Sequence, residues 1–403
     1  MLLSGRTKTN FMRIAATLMV LFISLTTVCQ EISVTGKVVD SKTNEPVFAA
    51  SIGVKNYAGG TITNDEGVFQ LTLPQTSDVQ VSCIGYKNTA VPATSFKGEM
   101  LIRLEPNDEM LEEVIVSTLP VKDLLEQLIA SSQKRFNKPI QLDTYYREFM
   151  KQDGKYTKFS DGLLEYHVGG SAKNATSALI VKESRAAQII APEDDFDFDS
   201  FFGADKAIET YYEFKYLRKS IVNEAKKYDF QLKRVSGDGK EMMKIVFTPK
   251  ADREEMLTAG EILYDPETNL IFNFTAAVPE SHKKFVKTVN VLLFRIALLD
   301  VDMHVSYKMV GENYMLSHNK RDATIRIWKK NKWDYTLQSI TDLLVTDFHK
   351  DNAGFDKNLV HKGNLYSRGN KYSYPFWKKN NAIVLTAAQE NVISDLEKKD
   401  TQN

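Results

Sequence analysis

Cysteine is nearly absent: the 403 residues include two, Cys29 and Cys83. That excludes a disulfide-stapled scaffold and any multi-thiolate zinc or iron–sulfur centre. An excess of charge of one sign is missing as well. Lys plus Arg and Asp plus Glu each total 52, so no global field draws the chain to nucleic acid or an anionic membrane. Apolar runs long enough to span a bilayer are absent beyond residue 29, which leaves no transmembrane helix once the N-terminal segment is removed. What remains, 43% hydrophobic and 26% charged residues, is the composition of an ordinary folded chain. At about 100–200 residues per domain, this length predicts two or three domains.

The first 29 residues read as an address. Arg6, Lys8 and Arg13 precede the apolar run from Ile14 to Leu25, and no acid occurs before Glu31. A basic region, a short apolar core and a polar exit describe a secretory signal peptide. The core is shorter than the ~20 apolar residues that a spanning helix needs. Two outcomes stay open. Cleavage after Cys29 places small residues, Thr27 and Cys29, at −3 and −1 and starts the mature chain at Gln30. Lipidation of Cys29 is the other, although Val28 is bulkier than the residue usually found before a lipidated cysteine. Without its three leader cations the chain carries a net charge of −3, too little to imply a charged partner. Export to the periplasm or association with the outer membrane is therefore expected.

From Ile32 the chain alternates as a strand, with Val34, Gly36 and Val38 on one face. Asp40, Ser41, Asn44 and Pro46 then supply turn chemistry. Asn64-Asp65-Glu66-Gly67 reads as a hairpin turn whose glycine takes positive φ cheaply. Short strands at this spacing, punctuated by glycine and proline, predict a β-sandwich over residues 31–105. Five blocks follow in order: Gly36-Lys37-Val38-Val39-Asp40, Thr43-Asn44-Glu45-Pro46, Ala50-Ser51-Ile52, Thr63-Asn64-Asp65-Glu66-Gly67-Val68-Phe69 and Ile84-Gly85-Tyr86. Together they closely resemble the carboxypeptidase-regulatory-like domain, a transthyretin-like sandwich of Bacteroidota envelope proteins. The chain departs from that pattern at Ala49-Ala50, where the family often has Gly-Ala, so a perturbed turn is expected there. The resemblance implies that an enzyme, a TonB-dependent barrel or a domain of other role follows.

Leu111-Glu112-Glu113-Val114-Ile115-Val116 resembles the segment that joins this domain to the plug of TonB-dependent receptors. A plain linker over 106–119, or a last strand, is the simpler reading. About 290 residues follow it, too few for a 22-stranded transporter barrel.

Residues 120–399 read as a larger β-rich domain. Pro120 opens a helix in which Val121, Leu124, Leu125, Leu128 and Ile129 share one face. Asp153-Gly154 marks a hairpin between strands from Thr144 to His167, and Gly169 to Ala178 reads as a small-residue loop. Further hairpins are predicted over 215–247, around Gly237-Asp238-Gly239, and over 262–274. Residues 287–345 continue the meander. About nine to eleven strands cannot stay flat and open, so a curved antiparallel sheet or half-barrel is expected. A second short helix starts at the Thr386–Gln389 capping box. The hairpin at Gly260-Glu261-Ile262-Leu263-Tyr264-Asp265 is similar to those in the curved sheets of periplasmic lipoprotein carriers.

Linear signs of catalysis are missing. None of the six histidines, His167, His282, His304, His318, His349 and His361, has the Glu spacing of a zinc carboxypeptidase. Gly169-Gly170-Ser171 lacks the closing glycine of a nucleophile elbow, and Gly237-Asp238-Gly239-Lys240 lacks the rest of a phosphate loop. Asp194, Asp195, Asp197 and Asp199 alternate with Phe196 and Phe198. As an EF-hand loop starting at Asp195 they fail, because Ser200 and Lys206 stand where Gly and Glu belong; a looser calcium site or a plain acidic loop stays open. Lys371 to Lys379 interleaves cations with aromatics, which suits tail packing better than stacking on sugars or bases.

No catalytic, cofactor or metal residue is therefore assigned. The reading is a non-enzymatic envelope protein that binds an apolar ligand or an outer-membrane protein partner on its curved sheet. An envelope hydrolase without a linear motif is the alternative. Two helices span too little to cover so long a meander. Ile262, Tyr264, Phe272, Phe274 and Leu293 are expected to line an open part of its concave face.

Overall fold

A computed structural model describes residues 31–54, 59–74, 77–83, 85–107, 113–115, 119–136, 138–171, 173–189, 203–205, 207–237, 240–291, 294–350, 354–366 and 382–400. The export segment with Cys29, the acidic run Asp194 to Asp199 and the Lys371 to Lys379 stretch lie outside these residues, as does Leu293.

The first unit holds β1 (Glu31–Asp40), β2 (Ser51–Val54), β3 (Gly60–Ile62), β4 (Val68–Pro74), β5 (Asp78–Ser82), β6 (Thr89–Pro92) and β7 (Glu99–Leu104). They form two facing sheets, ordered β4-β1-β7 and β3-β2-β5-β6. The period-two alternation does the sorting: Val34, Val38, Phe69 and Leu71 from one sheet bury against Ile52 and Val81 from the other. The expected sandwich is present. Asn64 Oδ1 accepts the amides of Glu66 and Val68, at 2.9 and 2.8 Å, which closes the turn. Gly67 then has φ +76°, and a Cβ there would meet the Val38 carbonyl oxygen at 2.4 Å. Ala49 occupies the left-handed region at φ +55°. This is the position where the family often has glycine, and it explains the preference, because a Cβ is disfavoured there.

Gly67→Ala should cost about 2–4 kcal/mol, combining left-handed strain with a backbone collision. Gly98 has φ +88° with open space around it, so Gly98→Ala should cost only about 1 kcal/mol. Denaturant melts of the two variants measure the difference, and equal losses would remove the collision from the account.

The second unit contains β8 (Glu113–Ile115), α1 (Val121–Arg135), β9 (Ile140–Gln152), β10 (Lys155–Gly170), β11 (Ala175–Gln188), α2 (Ala207–Tyr212), β12 (Tyr228–Gly237) and β13 (Lys240–Pro249). It continues with β14 (Ala259–Asp265), β15 (Leu270–Ala277), α3 (Glu280–Lys283), β16 (Thr288–Val291), β17 (Phe294–Val310), β18 (Asn313–Lys329), β19 (Trp333–His349), β20 (Val360–His361) and α4 (Ala387–Asp400). Its strands make one antiparallel, unclosed sheet ordered β20-β11-β10-β9-β19-β18-β17-β15-β14-β13-β12-β8, with β16 attached to β17.

The topology explains the cover. From β9 the chain meanders outward to β11, then crosses to β12 near the opposite edge. From there it returns strand by strand until β19 pairs with β9. The described part of the crossing is largely helical: α2 is followed by a π-helical turn, Leu217–Val222. Together with α1 it packs one face of the sheet, here the inner face. Leu125, Leu128 and Ile129 of α1 lie in the same buried cluster as Tyr212, Leu217 and Ile221. Phe136, following α1, stacks on Tyr212 and Tyr314 with ring centroids 4.2 and 4.8 Å apart.

Several sequence expectations change here. Residues 215–227 are helical where a strand was expected, and only 228–249 form the hairpin. The small-residue loop is confined to the connection between Gly170 and Ala175, because Ala175 already begins β11. Among the described residues the sheet has thirteen strands, more than the meander reading gave. There are more helices than two, the crossing being the important addition. Glu113–Ile115, read as part of a linker or as a last strand, pairs antiparallel with β12 at the edge of the large sheet.

Candidate functional site

The open groove expected from the sequence is filled at most of the positions named for it. Ile262, Tyr264 and Phe274 are buried in the inner cluster with α1 and the helical crossing. The crossing supplies the cover that two helices could not. Phe272 is half-buried and does face a cleft.

Three separate turns build that cleft, a recess of about 720 Å³ open to solvent. The last turn of α1 brings Lys134 and Arg135, both exposed. The β14–β15 turn brings Asp265, Thr268 and Leu270, and the ends of β17 and β18 bring Met309 and Gly311. Asp265 is buried and serves the turn itself, accepting the Glu267 amide and the Thr268 hydroxyl at 2.9 Å each. The floor is apolar, made by Leu270, Phe272 and Met309, and Phe272 meets the Tyr314 ring edge-on at 6.1 Å. Lys134 and Arg135 also complement the negative end of the helix. The arrangement is an apolar trough with two cations at its rim.

The outer face carries a different feature. Arg185, Asp161, Arg147, Asp342 and Lys320 stand directly opposite one another on five adjacent strands, β11, β10, β9, β19 and β18. Directly opposed residues share a face, so charge alternates along one row. Arg185 donates to Asp161 at 3.1 and 2.7 Å through two nitrogens. Arg147 donates to Asp342 at 2.7 Å, and Lys320 reaches Asp65 of the first unit at 2.7 Å. Asp161, Arg147 and Asp342 are buried. The first unit and α4 cover the row, Gln389 lying 3.3 Å from Arg147. The expected capping box holds the start of α4, with Thr386 and Gln389 exchanging bonds at 3.0 and 3.2 Å.

His304 and His318 both meet the Phe48 ring edge-on, at 6.2 and 6.5 Å, and the other histidines lie on separate elements. His167 lies 2.6 Å from Glu165, His318 3.5 Å from Asp342 and His349 3.2 Å from Asp143. His282 meets Ser281, and His361 meets the Asn364 carbonyl. Ser171 belongs to a turn in which its hydroxyl accepts the Asn174 amide. Gly237 pairs with Lys240 across a hairpin, and Cys83 is half-buried. Sequence reasoning passed over Lys134 and Arg135, whose only linear signal is two cations ending an amphipathic helix.

Residues 34–116 match the CarboxypepD_reg-like domain family. This part of the chain is similar to a CarboxypepD_reg-like domain. Over 96 residues, 24% of this chain, it is 38% identical to the TonB-dependent receptor SusC of Bacteroides thetaiotaomicron, and the match spans 9% of that receptor's length. Among solved structures, a DUF1329 family protein from Desulfovibrio piger aligns at 11% identity and a TM-score of 0.28, covering 60% of this chain and 98% of that one. A LolA superfamily protein from Nitrosomonas europaea aligns at 9% identity and a TM-score of 0.21, covering 58% and 98%. Both likenesses are distant. The first domain contributes Asp65 and Phe48 to the outer face, the Phe48 ring lying 4.4 Å from the Lys320 ammonium.

Proposed function

We propose that this is a non-enzymatic binding protein of the cell envelope that holds an anionic, single-chain amphiphile such as a fatty acid. The observation that carries this reading is the cleft, in which Leu270, Phe272 and Met309 form a floor beneath Lys134 and Arg135. An acyl chain buries its methylenes on that floor at about 0.8 kcal/mol each, while its head group meets the rim cations. The envelope assignment is supported by the export pattern before Glu31 and by the likeness of the first domain to a TonB-dependent receptor. Among the described residues no helix is long and apolar enough to cross a membrane.

Titrating the delipidated mature chain with a fluorescent fatty acid tests the reading. Saturable binding of one probe per chain is expected. The Lys134→Glu, Arg135→Glu double variant should weaken it about tenfold, equivalent to about 1.4 kcal/mol, and Phe272→Asp should weaken it further. A fatty alcohol should be insensitive to the charge reversal. No saturable binding, or binding indifferent to all three substitutions, would overturn the proposal.

A further inference from the structure

At the Ile140 end of the outer face, beyond the charged row, four polar side chains meet across two strands. β9 presents Gln141 and Asp143, and β19 presents Asp347 and His349. Asp347 stands opposite Asp143, and His349 opposite Gln141. A β-bulge at Thr346 produces this match, because the register shifts between Val345 and Asp347. Without the extra residue Thr346 would oppose Asp143 and Asp347 would face the inner core. The bulge therefore sets two carboxylates directly against each other, a like-charge pairing that is destabilising by itself and that a cation beside them offsets.

The donor set is mixed. One ligand atom each from Asp143, Asp347 and His349 lies within 4.8 Å of the others. Each carboxylate has one oxygen already oriented: Gln141 Nε2 donates to Asp143 Oδ1 at 3.1 Å, and the Phe348 amide to Asp347 Oδ1 at 2.8 Å. Asp143 Oδ2 is left 3.2 Å from His349 Nε2. Outer partners of this kind fix ligating groups in place. One neighbouring cation already acts on Asp347. Lys308 donates to the Val345 carbonyl at 3.3 Å, and burial pulls its ammonium down to about 8 against the opposing field of Asp347. On β10, Glu165 is bound by His167 at 2.6 Å and by Lys182 at 2.7 Å. The Asp143 and His349 side chains are 39% and 51% exposed, so an ion has a path in and water can complete its shell.

We propose that Asp143, Asp347 and His349 bind a divalent transition-metal ion of the zinc or manganese class. Two carboxylates neutralise a doubly charged ion, and the imidazole selects against calcium, which takes oxygen ligands. Small side-chain rotations bring the three donors to the ~2.0–2.2 Å that zinc takes with nitrogen and oxygen.

Calorimetric titration of the untagged, chelator-treated mature chain with Zn²⁺, Mn²⁺ and Ca²⁺ decides the question, with Co²⁺ absorption reporting imidazole and carboxylate ligation. One Zn²⁺ or Mn²⁺ per chain is expected. Asp347→Asn and His349→Gln should each weaken binding at least tenfold, while His361→Gln leaves it unchanged. All are near-isosteric, and circular dichroism confirms that each is folded. No binding by the wild type, binding untouched by either ligand variant, or Ca²⁺ held by the wild type as tightly as Zn²⁺ would each overturn the site. The fatty-acid cleft is formed by other residues, so either proposal can fail without the other.

Discussion

Asp342→Ala should destabilise the protein by about 3–5 kcal/mol, the range seen when one partner of a buried ion pair is removed. The reason is what stays behind. The Arg147 and Asp342 side chains are only 4% and 6% exposed, and their 2.7 Å contact offsets the desolvation of both. Without Asp342 the guanidinium keeps Gln389 at 3.3 Å, while its Nε is already buried with no partner among the described residues. Replacing both, as Arg147→Met with Asp342→Leu, should recover most of the loss, since well-packed apolar residues often match a buried pair. Urea melts of the single and double variants measure this. A single variant within 1 kcal/mol of wild type would show that the charged row is not a stabilising element.

The same pair fixes a pH dependence. Burial pushes the Asp342 carboxyl up, but Arg147, His318 and Lys320 together outweigh it and hold the group well below the ordinary carboxylate range. A depressed folded value gives stability that is fully present above the unfolded value, about 3.9, and lost as pH falls toward the folded one. The gap between wild type and Asp342→Ala should therefore be constant from pH 5 to 7 and narrow below about pH 4.

Local signals carried the sequence reading wherever structure is made locally. The alternation around Val34 and Val38 found β1. Asp153 and Gly154, both with positive φ, marked their hairpin, and the apolar stripe from Leu124 to Ile129 found α1. The helical crossing was missed because Tyr211, Tyr212, Phe214 and Tyr216 are aromatics that suit a strand equally well. Only their place in a long-range topology decides between the two. That error propagated: without the crossing as cover, Ile262, Tyr264 and Phe274 read as an open lining. The charged row is invisible in sequence for a related reason. Asp161, Arg147 and Asp342 become neighbours only through the pairing of β9 with both β10 and β19. The cleft likewise needs three turns drawn from distant parts of the chain, and only Phe272 was named in advance.

Deleting residues 382–403 should cost more than any single substitution, because that segment ties the first domain to the outer face. Ile393 and Leu396 of α4 pack on Phe149 and Phe159 of the sheet. Ile383 joins Ile62 of the first domain with Tyr145 and Leu344. Three buried aliphatic side chains at about 1.5–3 kcal/mol each give a loss of ~4–9 kcal/mol, an upper range because the unfolded chain is itself partly compact. Two links between the domain and this segment vanish as well: Thr61 Oγ1 to the Ala382 carbonyl at 3.4 Å and Asn64 Nδ2 to the Val384 carbonyl at 3.2 Å. The ion pair between Lys320 and Asp65, with half of the Asp65 side chain exposed, is too weak to replace them. Calorimetry should therefore resolve two transitions in the truncated chain: a first-domain melt near its own midpoint, and a sheet melt moved sharply down as water reaches Arg147. A truncated chain that melts once, within about 2 °C of the full-length midpoint, would mean that α4 is dispensable and that the sheet alone supports its buried charges.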